Sequence, residues 1–401
     1  MVKTRSLYQN YYLFVKELKK YLLIMKTSTK HSLEFKNRTY KNIIAGLFNP
    51  NRPSYLILFL NNICQLRCGS CLYWDSMQTK PQELSLLEIE KIALSFKNLL
   101  QLTLTGGEPT LRKDLPKIPG IFAKRSNLAK CTVVTNGMLP ERILDYTEEM
   151  VFDNPDVDFR IAVSVDAIGD LHDKIRGVKG SFENAVKTLE LLYDLRCKVN
   201  NLWLDSVSVI SKYNYQSMEE TYNYIKKNFR VDNYMFAYVR GHTKEKDAKD
   251  LPAEIYTKMR KYLQEEPSRS KHFFQNPTIA VMNVVRREVE REIFQNKFHH
   301  YCSAGRKFIE IYHDGSVAPC ELLESKVPLS DAIMGNIKEF DYNINKLLKS
   351  KQAKNVLDYI RKNKCHCTFE CPKAMDVMYN KVFYPDLIKE LAKKFLLGNN
   401  C

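Results

Sequence analysis

The sequence predicts an α/β fold, a partial (β/α)6 barrel of the TIM type followed by a small cysteine-rich α+β module, and three observations carry that prediction. Between Pro53 and about residue 245, six short apolar runs alternate with helical stretches. Most of the runs are near-continuously apolar, as strands become when both faces of a parallel sheet are covered. From Tyr301 the texture changes to cysteines around a hairpin signal at His313-Asp-Gly-Ser316.

The strands are expected at Tyr55–Leu60, Leu102–Thr105, Thr132–Thr135, Phe159–Val165, Trp203–Val209 and Asn233–Tyr238. Helices are expected between them at Ser85–Leu100, Leu115–Ser126, Glu141–Glu149, Ser181–Leu195 and Tyr215–Asn228, so that each crossover returns the chain for a parallel pairing. Ahead of the barrel, Leu7, Tyr11, Phe14, Leu18, Leu22 and Met25 recur every three or four positions and predict a helix, followed by a polar connector. Behind it, Ala253–Glu265 and Ile279–Phe294 read as helices with a charged face, and Pro385–Leu397 as a closing helix with proline in its first turn. The expected organisation is a basic helical extension (1–50), the barrel (51–245), a helical connector (246–300), the cysteine module (301–375) and a terminal helix (376–401).

The 401 residues carry eleven cysteines, too unevenly spaced for a small disulfide scaffold. Eight fall into two groups, which reads as metal ligation in a reducing compartment. The remaining three, Cys131, Cys197 and Cys401, are expected to be buried or inert. The amino terminus lacks a signal-peptide pattern and no apolar run approaches the length of a membrane span, so a cytoplasmic protein is expected. The net charge of +16 is uneven: residues 1–53 hold eleven Lys or Arg against Glu17 and Glu34, and a second basic stretch runs from Lys346 to Lys364. Such surfaces suit an anionic partner or are simply a solvated face. The basic stretches lack the interleaved aromatics that single-stranded nucleic acid favours. A peripheral membrane contact through Leu7–Met25 is also open.

Cys64, Cys68 and Cys71 stand at C-x3-C-x2-C spacing on the loop that leaves the first strand. Three thiolates can hold three irons of a four-iron cluster and leave the fourth iron open. A zinc site would want a fourth ligand, and no second C-x2-C half lies nearby. After the second strand comes Thr105-Gly-Gly-Glu-Pro109, with Gly106 and Gly107 permitting close backbone approach and Glu108 offering an acceptor. The third strand ends in Val134-Thr-Asn-Gly137. The fourth ends in Val163-Ser-Val-Asp166 and is followed by His172-Asp-Lys-Ile-Arg-Gly177, which sets Ser164 and Asp166 at a strand end and Arg176 just beyond. A second group begins at Cys302, continues through Gly315-x4-Cys320 and ends in Cys365-x-Cys367-x3-Cys371, with Glu321 directly after Cys320.

In order and spacing these elements resemble the radical S-adenosylmethionine (SAM) enzymes, in the subgroup with a SPASM- or twitch-like auxiliary-cluster module that contains sulfatase-maturing and peptide-modifying enzymes. The resemblance covers about 55–240 and, more loosely, 300–375. It implies a 4Fe-4S cluster on Cys64, Cys68 and Cys71, and SAM held by the Gly106–Glu108 turn, Ser164, Asp166 and Arg176. Its chemistry is reductive cleavage of SAM to a 5'-deoxyadenosyl radical that takes a hydrogen atom from the substrate. It further implies an auxiliary 4Fe-4S cluster in the second group, where five thiols compete for four places and leave Cys365 and Cys367 ambiguous. Glu321 matches the position of a base. The aromatic residue that the family commonly has before its third cysteine is Ser70 here, with Tyr73 or Trp74 as replacements for packing the adenine.

The implied substrate is a peptide or an anionic small molecule such as a sugar, with a flavodoxin or ferredoxin as reductant. An RNA- or lipid-modifying enzyme of the same family is a further reading. The rival of another class is a non-catalytic zinc or iron-sulfur scaffold with a basic interaction surface.

Overall fold

The computed structural model describes residues 30–265 and 275–397. The expected helix at Leu7–Met25, and Cys401, lie outside the described residues. Nine strands form one sheet in the order β6-β5-β4-β3-β2-β1-β7-β8-β9. The first six are β1 (Tyr55–Phe59), β2 (Gln101–Thr105), β3 (Lys130–Thr135), β4 (Asp158–Ser164), β5 (Leu202–Ile210) and β6 (Asn233–Tyr238), all parallel to their neighbours. The module adds β7 (Phe308–Ile311), β8 (Ser316–Ala318) and β9 (Gly335–Asn336). Strand β7 pairs parallel with β1, so the cysteine module continues the barrel sheet instead of standing beside it.

Helices cross over between the strands at the expected places. Helix α1 (Lys30–Phe48) precedes them, where a polar connector was expected. Its Asn42 is buried and donates to the carbonyls of Leu99 (2.9 Å) and Asn127 (2.8 Å), and Arg38 pairs with Asp156 at 3.0 Å. Tyr40, Ile43, Ile44 and Leu47 do recur at helical spacing, a signal the connector reading passed over, and the tertiary hydrogen bonds fix the helix against the barrel. Next come α2 (Leu86–Ser95), α3 (Lys117–Ser126), α4 (Pro140–Asp153), α5 (Asp170–Arg176), α6 (Ser181–Arg196) and α7 (Met218–Asn228). Helix α2 opens with a capping box, Ser85 and Glu88 each taking the other's backbone N–H. Beyond β6 lie α8 (Glu254–Glu265), α9 (Gln275–Gln295), α10 (Lys351–Lys362), α11 (Glu370–Tyr379) and α12 (Tyr384–Leu397). The basic stretch at 346–364 is largely α10, whose Ala353, Val356 and Ile360 are buried beneath its lysines.

The sheet has an apolar face under helices and a polar inner face. Gly137 is wedged between Val163 of β4 and Ala185 of α6, so Phe159, Ile161 and Val163 point to the helices. Alternation then sends Arg160, Ala162 and Ser164 inward. The register carries that inner face across the sheet through Thr132, Thr103 and Ile57 to Glu310. No described helix is long and apolar enough to cross a membrane.

Candidate functional site

Two cysteine groups lie at the two ends of the central strands, the first beyond the carboxyl end of β1 and the second beside the amino-terminal end of β7, where Cys320 follows the antiparallel β8. The first sits on the loop after β1, where both neighbouring segments clamp its backbone. Arg67 and Gly69 donate to the carbonyls of Arg176 (3.0 Å) and Ile175 (3.4 Å) at the end of α5. Lys244 and Glu245, beyond β6, donate to those of Cys71 and Gly69, both at 2.9 Å. The thiols themselves are partly exposed. Burial pushes Cys64 up to about 11 and Cys71 up to about 12, with repulsion from the neighbouring thiols adding to the rise. Cys68 is likewise raised by burial and held down by Arg176, whose guanidinium lies 3.9 Å from its sulfur. Leu66 N–H and the Asn136 amide approach the Cys64 sulfur at 3.4 and 3.6 Å. Three soft donors that repel one another as thiolates, with N–H groups and a guanidinium around them, fit a cluster one ligand short of four.

The Thr105–Pro109 turn packs backbone to backbone against this loop. A Cβ on Gly106 would stand 2.5 Å from the Asn61 carbonyl oxygen, and one on Gly107 2.1 Å from that of Ile63. The glycines therefore serve the approach of the turn to the cysteine loop, where a ligand was expected to be the close neighbour. Glu108 is likewise committed inside the protein. It is 1% exposed, and its oxygens accept from Thr110 N (3.1 Å), Thr110 Oγ1 (2.6 Å), Thr135 Oγ1 (2.8 Å) and Asn136 N (2.7 Å). That carboxylate ties β2 to β3 and, through Asn136, to Cys64.

Asp166 has the same kind of role. Its oxygens take Val209 N–H at 2.8 Å and the Arg176 guanidinium at 2.8 Å, which fixes β4 to β5 and aims Arg176 at Cys68. His172 accepts the Asp166 N–H at 3.1 Å, and burial with the nearby Arg176 charge pushes its pKa down to about 3. Ser164 lies half-buried at the inner-face end of β4. Tyr73 is spent on His313 Nδ1 at 2.7 Å, and Trp74 lies edge-on to His242. Asn136 and the 240–245 segment went unassigned in the sequence. The Thr-Asn-Gly at the end of β3 was the available signal for the first, and nothing local marked the second.

In the second group, Cys302, Cys320, Cys365 and Cys367 line one small cavity with Leu322, Leu323 and Ile360. Burial raises Cys302 and Cys320 well above the usual thiol range. Lys326 Nζ lies 3.7 Å from the Cys365 sulfur, and the Lys373 charge acts on Cys367. Cys365 and Cys367, ambiguous by spacing, thus share the cavity, and Cys371 faces elsewhere. Its sulfur accepts from Tyr55 Oη at 3.4 Å beside Arg240. Among the described residues no three or more His, Cys, Asp or Glu side chains are grouped closely enough to hold a metal ion. The fit of each cysteine group to a cluster therefore rests on its donor set. Glu321 is half-buried and meets Arg240 at 3.3 Å; desolvation raises its carboxyl and the guanidinium opposes the rise. Of the leftover cysteines, Cys131 is buried as expected and Cys197 is exposed.

Comparison with known proteins agrees with this geometry. The model of the Radical SAM superfamily matches residues 58–225, and that of the SPASM iron-sulfur cluster-binding domain matches 302–372. The subtilosin biosynthesis protein AlbA of Bacillus subtilis is 24% identical, over 88% of this chain and 74% of its own. GTP 3',8-cyclases such as that of Actinobacillus pleuropneumoniae serotype 3 are 28% identical over 36% of the chain, and the match spans only 43% of their length. Among solved structures, anSMEcpe with bound AdoMet superposes with a TM-score of 0.54 at 18% identity, covering 87% of this chain and all of that one. Streptococcus suis SuiB bound to S-adenosylmethionine gives 0.54 at 15% identity, covering 81% and 77%. With a three-cysteine loop on a partial barrel and a cysteine module continuing its sheet, residues 58–225 belong to the Radical SAM superfamily and residues 302–372 form a carboxy-terminal SPASM-like domain.

Proposed function

We propose that this enzyme modifies a peptide, abstracting hydrogen from an unactivated carbon in the space between the two cysteine groups. The observation that carries the reading is the 240–245 segment, which bonds to the Cys71 loop on one side while Arg240 reaches Glu321, beside Cys320, on the other. Extended similarity to AlbA and to the sporulation killing factor maturation protein SkfB of Bacillus subtilis, over 88% and 78% of this chain, supports a peptide as the substrate class.

In this reading Cys64, Cys68 and Cys71 hold the reactive cluster, and Cys302, Cys320, Cys365 and Cys367 the auxiliary one. A four-iron cluster on Cys64, Cys68 and Cys71 with SAM beside it would supply reductive cleavage of the sulfonium and radical hydrogen abstraction. The chain's own residues orient and enclose. Glu108 holds the Thr105–Pro109 turn against the cysteine loop, where the turn would help to hold the amino group of SAM. Asp166 positions Arg176 for the carboxylate, and Ser164 lies at the inner face for a ribose hydroxyl. Glu321, poised by Arg240, would take the proton released when the substrate radical gives its electron to the group that Cys302, Cys320, Cys365 and Cys367 would hold. The inner face of the curled sheet and the 240–245 strap would keep water from competing for the radical.

Anaerobic reconstitution with iron, sulfide, SAM and dithionite, followed by mass spectrometry, tests this reading. The expected result is 5'-deoxyadenosine, together with a loss of two mass units in a peptide encoded beside the gene. 5'-Deoxyadenosine with no change in any such peptide would refute the peptide reading, and its absence would refute the chemistry.

A further inference from the structure

The inner face near the second cysteine group carries a concentration of acid at odds with the chain's net charge of +16. Arg240, just beyond β6, donates to Glu370 at 2.6 Å and to Glu321 at 3.3 Å, with its guanidinium 4.3 Å over the Phe369 ring. Tyr312 donates to Glu324 at 2.9 Å. Two carboxyls, those of Glu321 and Glu370, thus pair with one guanidinium, and those of Glu310 and Glu324 stand close enough to Glu321 to feel its charge. The next residue, Gly241, packs between Leu322, beside Glu321, and Leu72, beside Cys71, which sets the group between the two cysteine clusters.

Glu310 is the odd member. It is 0% exposed on the inner face of β7, and neither of its oxygens has a hydrogen-bond partner. The Tyr312 hydroxyl, which lies close enough to oppose the rise of the Glu310 carboxyl, donates to Glu324 at 2.9 Å. Burial, with repulsion from Glu321 and Glu324, drives its carboxyl well above the usual range. A buried, unpartnered carboxyl costs stability, and apolar replacement would be easier on the fold. Glu370 Oε1 is also buried without a partner. Such groups are retained where something else completes them, and the missing complement to this set is positive charge with N–H donors.

We propose that this acidic cluster binds a cationic group of the substrate, an ammonium or guanidinium of the kind a lysine or arginine side chain bears, with Glu310 as its counter-ion. The inference rests on the peptide reading above and sharpens it. The peptide presents a basic side chain to the inner face of β7, and this contact sets which neighbouring carbon lies before the radical source. Arg240 keeps Glu321 and Glu370 paired, so the incoming cation meets Glu310 and the free oxygen of Glu370.

Binding tests this without turnover. The anaerobically reconstituted protein with SAM is titrated with acetyl-Gly-Lys-Gly-amide and with the same peptide acetylated on the lysine, by calorimetry and ligand-observed NMR at low salt. The lysine peptide is expected to bind about tenfold more tightly than its neutral analogue, and Glu310→Gln to erase the difference while the exposed-surface variant Glu339→Gln keeps it. Equal binding of the two peptides by the wild type, or a preference that survives in Glu310→Gln, overturns the proposal and leaves Glu310 a protonated buried carboxyl. The wild-type comparison stands even if Glu310→Gln fails to fold. Failure of this selectivity with SAM cleavage intact counts against the cationic site alone; absence of 5'-deoxyadenosine counts against the chemistry beneath it.

Discussion

The two cysteine groups solve opposite problems. Cys64, Cys68 and Cys71 lie on one short loop, partly exposed, and are held by hydrogen bonds from outside the loop: α5 on one side, the 240–245 segment on the other, and Asn136 beneath. Cys302, Cys320, Cys365 and Cys367 come from distant points of the chain and close on a cavity walled by Leu322, Leu323 and Ile360. A three-thiol site must stay reachable by a small cosubstrate, so its precision comes from polar contacts that leave one side open. A four-thiol site needs no opening, so apolar burial can do the same work.

The sharpest break of that contrast is removal of one thiol from each side. Cys68→Ala is expected to cut 5'-deoxyadenosine formation at least about a hundredfold, since two thiols do not retain a four-iron core. Chromatography of the reconstituted reaction reads it, and undiminished product would remove the first group from the chemistry. Cys320→Ala is expected to lower bound iron by roughly half and to leave SAM cleavage within a few-fold, with modified peptide lost. If both variants lost cleavage equally, the division of labour between the groups would be wrong.

A third variant probes how the open site is held. Gly107→Ala forces a Cβ to 2.1 Å from the Ile63 carbonyl oxygen. The clash should destabilise the protein by about 3 kcal/mol and shed iron from the first group before the second. Denaturant unfolding and iron analysis would check this; an unchanged midpoint would mean the two loops are not in contact.

The smallest effect is one of pH. His172 props Asp166, and its pKa is pushed down to about 3 from 6.5. A base depressed in the folded state leaves stability intact above pH 6.5. Below that the unfolded chain takes up the proton that the fold refuses, so stability falls with each unit of acid. Between pH 6.5 and 5 the loss amounts to about 2 kcal/mol. In His172→Asn that part of the acid limb should flatten, and identical slopes in urea unfolding would show that His172 titrates normally.

Much of the barrel was legible because a parallel strand covered on both faces writes its burial into consecutive residues. Asn233–Tyr238 matches its expected span, and the other five strands differ by only a residue or two at their ends. The helix within the basic stretch around Lys351–Lys362 stayed hidden for the opposite reason: charge dominated the sequence while Ala353, Val356 and Ile360 supplied a narrow buried stripe. Helix α5 is only seven residues long, too short for its period to show.

By itself the sequence determined the alternation of strand and helix, the two sets of thiols and the kind of chemistry they imply, because local periodicity and ligand spacing are written within a few residues. Tertiary structure alone decided which thiols face one another and what the carboxylates do. Glu108 and Asp166 turned out to be internal ties, Cys371 turned away from the cavity toward Tyr55, and Glu310 came to rest unpartnered between the clusters. Those outcomes depend on contacts between segments tens to hundreds of residues apart, and whether a polar group is spent or free follows from which donors the fold brings to it.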